Sequence, residues 1–96
     1  MIWMTETSVK KEIKAYLRSI GGYITPIPGG SYGSNGAPDL VACVNGRFIA
    51  IEGKYDQGTQ SRWQKLRQRQ IEGAGGIYIV AYSVEDVRNA IEMLVL

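Results

Sequence analysis

Histidine is absent from this chain, and cysteine occurs once among its 96 residues. Ser-His-Asp catalysis, Cys/His zinc sites and an internal disulfide are therefore all excluded. No apolar run approaches the roughly 20 residues of a membrane span. The opening Met1-Ile-Trp-Met-Thr-Glu6 lacks a basic segment followed by an apolar one, so no signal peptide is expected. Charge of one sign is also scarce: the formal net charge is +2, which permits nucleic-acid binding without arguing for it. There is no internal repeat, no low-complexity tail and nothing that marks a small-molecule cofactor pocket. The loop Gly29–Gly36 lacks the Gly-Lys-Ser/Thr ending of a phosphate loop. What remains is the composition of an ordinary soluble protein, 45% hydrophobic and 21% charged, expected as one domain over residues 1–96 in a reducing cytoplasm, with no membrane partner.

Periodicity organises that domain. Residues 5–20 read as a helix with Thr5 as N-cap and Gly21-Gly22 as its stop. Val9, Ile13, Tyr16, Leu17 and Ile20 make its apolar stripe, and Lys10, Lys11, Lys14 and Arg18 lie opposite. A short strand is expected from Tyr23 to Ile27, closed by Pro28. A hairpin follows at about 39–44 and 47–54, and its two apolar faces predict a sheet covered on both sides. Residues 60–73 read as a second helix and 77–82 as a strand. Ser83 is placed to cap a last helix that buries Val84, Val87, Ile91 and Leu94. The order is α-β-β-β-α-β-α.

The hairpin carries the chemistry. Asn45-Gly46 suits a two-residue type I′ turn, which needs positive φ at both centres. That turn sets Val44 against Arg47, Cys43 against Phe48, Val41 against Ala50 and Asp39 against Glu52. Side chains alternate along a strand, so Lys54 shares a face with Glu52. Two carboxylates opposed at about 5 Å repel each other. They ask for a cation, and hard oxygens suit Mg²⁺ or Mn²⁺ far better than zinc. Such a cation would activate water and neutralise a scissile phosphate, with Lys54 orienting the water or meeting the developing charge. The alternative is a hairpin end in solvent, with Lys54 merely paired to Glu52. The small residues Gly36, Ala37 and Gly53 favour the first reading, since they let a backbone or ligand come close.

Other candidates are weaker taken singly. Glu6 projects within the apolar stripe of the first helix, either to reach the metal site or to complement the helix dipole. Gln64 lies beside the buried side of the second helix, but Gln60, Gln68 and Gln70 share that helix and spacing does not choose among them. Ser31, Tyr32, Ser34 and Asn35 lie in a glycine-rich loop that either admits DNA or is a simple connection. Lys10, Lys14, Arg62 and Lys65 are phosphate-contact candidates, against the commoner solvated helix face. Cys43, Trp63, Tyr78 and Tyr82 read as core.

Pro38-Asp39 followed by Glu52-x-Lys54 resembles the signature of the PD-(D/E)xK nuclease superfamily. Glu6-x-x-Val9 with Tyr16-Leu17 and Gly21, Gly36-x-Pro38-Asp39-Leu40, Gly46-x-Phe48-Ile49-Ala50-Ile51-Glu52-x-Lys54, and Gln64 ahead of Gly75-Gly76 resemble its virus-type replication-repair nuclease (VRR-NUC) family over about residues 5–85. The resemblance implies an α/β fold with a restriction-endonuclease-like αβββαβ core: a central mixed sheet flanked by helices, with a C-terminal helix added. It implies Mg²⁺- or Mn²⁺-dependent cleavage of DNA phosphodiesters. Glu6 would match the helix acid, Asp39 and Glu52 the metal carboxylates, Lys54 the catalytic lysine and Gln64 the helix glutamine. Small stand-alone members come largely from phages and bacteria and resemble Holliday-junction resolvases, acting as homodimers on branched DNA. Other nuclease roles, nicking flaps or duplex in phage replication or packaging, and a non-catalytic DNA-binding module are the alternatives. Trp3 or the end Met93–Leu96 would supply a dimer contact. Gly53 departs from the family, where valine is usual.

Overall fold

The computed structural model describes residues 6–28, 36–54 and 58–96. Its elements are α1 (Glu6–Ser19), β1 (Tyr23–Pro26), β2 (Leu40–Val44), β3 (Arg47–Gly53), α2 (Arg62–Gly73), β4 (Ile77–Ala81) and α3 (Val84–Leu94). The four strands form one mixed sheet in the order β1-β2-β3-β4. The first two pairings are antiparallel, and β4 runs parallel to β3 because α2 carries the chain back across the sheet. No helix among the described residues is long and apolar enough to cross a membrane.

The hairpin register follows from its turn. Asn45 and Gly46 have φ of 51° and 78°, the left-handed pair that a two-residue hairpin demands. Val44 pairs with Arg47, Cys43 with Phe48, Val41 with Ala50 and Leu40 with Ile51. One step further on, Asp39 comes opposite Glu52, and the Asp39 amide donates to the Ile51 carbonyl at 3.0 Å.

Strand alternation then divides the sheet into two unlike faces. Leu40, Ala42, Val44, Ile49, Ile51, Ile77 and Ile79 point one way, into a core closed by Val9, Ile13 and Leu17 of α1 and by Val87 and Ile91 of α3. Ile13, Leu17, Ile49 and Ile91 are wholly buried, each contributing about 1.5–3 kcal/mol relative to exposure. The helical stripe read from the sequence thus meets the sheet as expected, with Tyr16 and Ile20 at its edge.

The opposite face is only partly covered, contrary to the two-sided burial expected of the hairpin. Helix α2 lies over the β3–β4 side, and nothing among the described residues covers β1 and β2 there. Cys43 is exposed, and so are Tyr23 and Phe48, at 72% and 48%. Reading Cys43 as core therefore fails: it lies on the outer face beside Tyr23, its partner in β1. Leu94, Trp63 and Tyr82 are also exposed rather than buried. Of the aromatic residues read as core, only Tyr78 is buried. Ser83 occupies the cap position of α3, but its side chain makes no capping hydrogen bond. Instead the Asp86 carboxylate accepts from the Tyr82 amide at 2.8 Å.

Candidate active site

The partly covered face holds the site, at the end of β3 away from the hairpin turn. Glu52 is the one buried charged residue among those described, at 1% exposure. A carboxylate taken out of water needs strong partners. The Tyr78 hydroxyl donates to its Oε1 at 2.5 Å, a length suited to a charge-assisted bond. The Lys54 ammonium lies 3.5 Å from Oε2, an ion pair too long to serve as a good hydrogen bond. Oε2 is therefore buried without a hydrogen-bond partner among the described residues. Burial first, and then the bond to Glu52, hold the Tyr78 phenol well above its ordinary range, so it remains a donor.

Asp39 stands across the ribbon from Glu52. Its Oδ2 accepts from the Gly53 amide at 2.6 Å, and its Oδ1 lies 3.4 Å from the Lys10 ammonium. A side chain at position 53 would meet Asp39 and Lys10 at ordinary contact distance, 3.5–3.6 Å. Glycine there is thus not a packing requirement, and the backbone amide of this position already orients Asp39.

Lys54 is held from α2. Its ammonium donates to Gln64 Oε1 at 2.9 Å. The same oxygen accepts from the Ser61 amide at 2.8 Å, while the Gln64 amide donates to Ser61 Oγ at 3.1 Å. Gln64 thus closes a capping box at the start of α2, which fixes its rotamer, and it reaches Lys54 with the oxygen so held. No residue of α2 is fully buried. At helical spacing, Gln60, Gln64 and Gln68 are all half-buried. Gln60 partly offsets the rise of the Tyr78 pKa and donates to Gln68 at 2.9 Å. Leu66 and Ile71 of the same helix are half-buried as well.

The structure brings together four of the residues singled out from sequence, Asp39, Glu52, Lys54 and Gln64, and adds Lys10 beside Asp39. Glu6 is the first residue of α1, but its side chain lies outside the described residues, as do Ser31, Tyr32, Ser34 and Asn35. Lys14 is half-buried one turn beyond Lys10, and Lys65 is exposed on α2. Arg62 stacks over the exposed Trp63 ring, 5.5 Å from its centroid, at the α2 end nearest Gln64. Among the described residues no three His, Cys, Asp or Glu side chains cluster, so Asp39 and Glu52 form a two-carboxylate set. Sequence reasoning did not identify Tyr78 and Gln60, because both depend on how β4 and α2 dock on β3.

The chain and its fold have known counterparts. The family described as archaeal Holliday junction resolvase (Hjc) matches residues 6–77. No curated protein matches the chain. Two solved structures described as a VRR_NUC domain and a VRR_NUC domain protein are similar in fold. The first is 24% identical with a TM-score of 0.79, covering 93% of this chain and 96% of that one. The second is 21% identical with a TM-score of 0.77, covering 99% and 91%. The 1.6 Å structure of Hjc, a Holliday junction resolvase from the archaeal hyperthermophile Archaeoglobus fulgidus, is 22% identical with a TM-score of 0.57, covering 78% and 65%. The mixed sheet with flanking helices expected from the sequence is the fold these proteins share.

Proposed function

This chain belongs to the archaeal Holliday junction resolvase (Hjc) family, and from that premise we propose that it is a metal-dependent, structure-selective DNA endonuclease that resolves four-way junctions as a homodimer. The observation that carries the reading is Oε2 of Glu52, buried without a hydrogen-bond partner among the described residues, opposite Asp39 in a site whose candidate ligands are hard oxygens. Leaving such an atom bare costs about 1–3 kcal/mol or more, a cost that a cation removes. Mg²⁺ or Mn²⁺ fits this donor set, with Asp39 and Glu52 as ligands and Glu6 as a third candidate. Bound there, the ion would lower the pKa of the attacking water and neutralise charge on the scissile phosphate.

The chain's own residues supply the rest. Gln64 holds Lys54 at 2.9 Å, so the ammonium is oriented before substrate arrives and meets developing negative charge without reorganising. Lys10, Lys14, Arg62 and Lys65 are the proposed phosphate contacts, and the loop with Ser31, Tyr32, Ser34 and Asn35 the proposed DNA approach. The exposed Arg62–Trp63 pair adds a cationic, aromatic surface of the kind that takes unstacked bases. The cytoplasm is its proposed location.

Two symmetric cuts call for two sites related by a twofold axis. The exposed strip of Tyr23, Cys43 and Phe48 supports the dimer. It continues into a hollow of about 450 Å³ bordered by Arg47, Phe48, Ile71 and Gly76. Of the contacts expected from sequence, Trp3 lies outside the described residues, whereas Met93, Leu94 and Leu96 are exposed and form a second candidate surface.

The test is cleavage of a synthetic four-way junction and a matched linear duplex in Mg²⁺, Mn²⁺ or EDTA, beside Lys54→Ala and Asp39→Asn. Paired cuts near the branch are expected, absent in EDTA and reduced at least about 100-fold in each variant. Undiminished cleavage by Asp39→Asn would remove the mechanism. Preference for flaps or duplex would shift the substrate, and binding without cleavage would leave a DNA-binding module of the same fold.

A further inference from the structure

Tyr78 lies on β4, opposite Ala50 of β3, whereas Glu52 pairs with Val80. To meet Glu52 the phenol must lean along the strand towards the site, a direction strand side chains favour. The methyl group of Ala50, wholly buried beneath it, leaves room for the ring. The hydroxyl ends 2.5 Å from Glu52 Oε1. Tyr78 itself is 7% exposed. A plain core position at this point would be filled as well by phenylalanine, with no hydroxyl to satisfy.

The two oxygens of Glu52 are therefore unlike. Oε1 is engaged by Tyr78, and Oε2 is buried with only Lys54, at 3.5 Å, beside it among the described residues. A carboxylate held at one oxygen has a fixed plane, and its second oxygen points in one direction. Oxygen ligands of metal ions are commonly oriented by such outer hydrogen bonds. We propose that Tyr78 is a positioning residue for the cation site, clamping one oxygen of Glu52 so that the other is presented for metal binding. The inference rests on the metal-dependent nuclease reading and adds to it a residue that touches neither metal nor DNA.

Tyr78→Phe keeps the ring and removes only the clamp. The readout is Mn²⁺ binding without DNA, followed by loss of the free-ion electron paramagnetic resonance signal, with Asp39→Asn as the control that loses binding. The variant is expected to fold, to bind Mn²⁺ about tenfold more weakly, and to need correspondingly more Mn²⁺ for half-maximal junction cleavage. Its cleavage rate at saturating Mn²⁺ would fall less. An unchanged Mn²⁺ affinity in folded Tyr78→Phe overturns the proposal even if cleavage drops. A parent protein that binds no Mn²⁺ overturns the metal reading itself, so the two failures are distinct. If the variant does not fold, the parent decides: Mg²⁺ titration must shift the Tyr78 ring resonances with the midpoint of calorimetric Mg²⁺ binding. Tyr78 signals that stay still at saturating Mg²⁺ reject the clamp.

Discussion

Gly36→Ala should damage the site from a position with no chemistry of its own. Gly36 has φ +78°, and a Cβ there would lie 2.3 Å from the Trp63 carbonyl carbon, 2.5 Å from its oxygen and 2.6 Å from the Gln64 amide nitrogen. All three atoms are backbone in the first turn of α2, so no side-chain rotation relieves the clash. Reaching the ordinary contact distance of 3.4 Å requires the turn to move by 3.4 − 2.3, or about 1.1 Å. The left-handed backbone costs about 1–2 kcal/mol for alanine, and overpacking adds about 1–3 kcal/mol. Gly46→Ala is the matched control. It has the same φ of +78° but nothing within 4 Å among the described residues, so it bears the backbone cost alone. Denaturant unfolding should therefore place Gly36→Ala about 1–3 kcal/mol below Gly46→Ala. Because the displaced turn carries Gln64 and hence Lys54, junction cleavage should fall about 100-fold in Gly36→Ala and stay near parental in Gly46→Ala. Equal stability and equal cleavage in the two variants would refute the reasoning.

Two further outcomes follow from side chains outside the site. The Tyr16 hydroxyl is buried with no hydrogen-bond partner among the described residues, and burial, with Glu92 adding and Arg88 opposing, raises its pKa. Tyr16→Phe removes that unsatisfied group and keeps the ring beneath Arg88, 5.2 Å from its centroid. Unfolding should show it more stable by about 1 kcal/mol, and a loss of stability would mean the hydroxyl has a partner. Phe48→Glu places charge on the open sheet face, so light scattering should find the parent a dimer and the variant a monomer that has lost paired cutting of junctions. A variant that stays dimeric would move the interface to the α3 end.

The site was legible in sequence to the extent that it is local. Asn45-Gly46 can hardly adopt any hairpin but the one found, and a two-residue turn carries its register along both strands to Asp39 and Glu52. The period of two along β3 puts Lys54 near Glu52 for the same reason. Gln64 was visible as a candidate but not separable from its neighbours, because its selection depends on Ser61 and Lys54 meeting it from two directions. Gly36 was read as a close-approach residue, and it is one; the approaching backbone is that of α2.

Other features belong to tertiary structure alone. Cys43 sits in an apolar strand and reads as buried, but burial depends on whether a helix lies over it, and α2 lies on the β3–β4 side, away from β2. Leu94 keeps helical spacing with Val87 and Ile91, yet it is exposed, while its neighbour Val95 packs against the core. Tyr78 is 26 residues from Glu52, and only the parallel docking of β4 on β3 turns a core-type aromatic into a hydrogen-bond donor to a buried acid. Amino-acid order alone determined the elements, the hairpin register and the opposed carboxylates, since each follows from backbone geometry over a few residues. The docking of distant elements decided which face stayed open and which oxygen of Glu52 stayed bare, because those depend on what comes to lie against the strand from elsewhere in the chain.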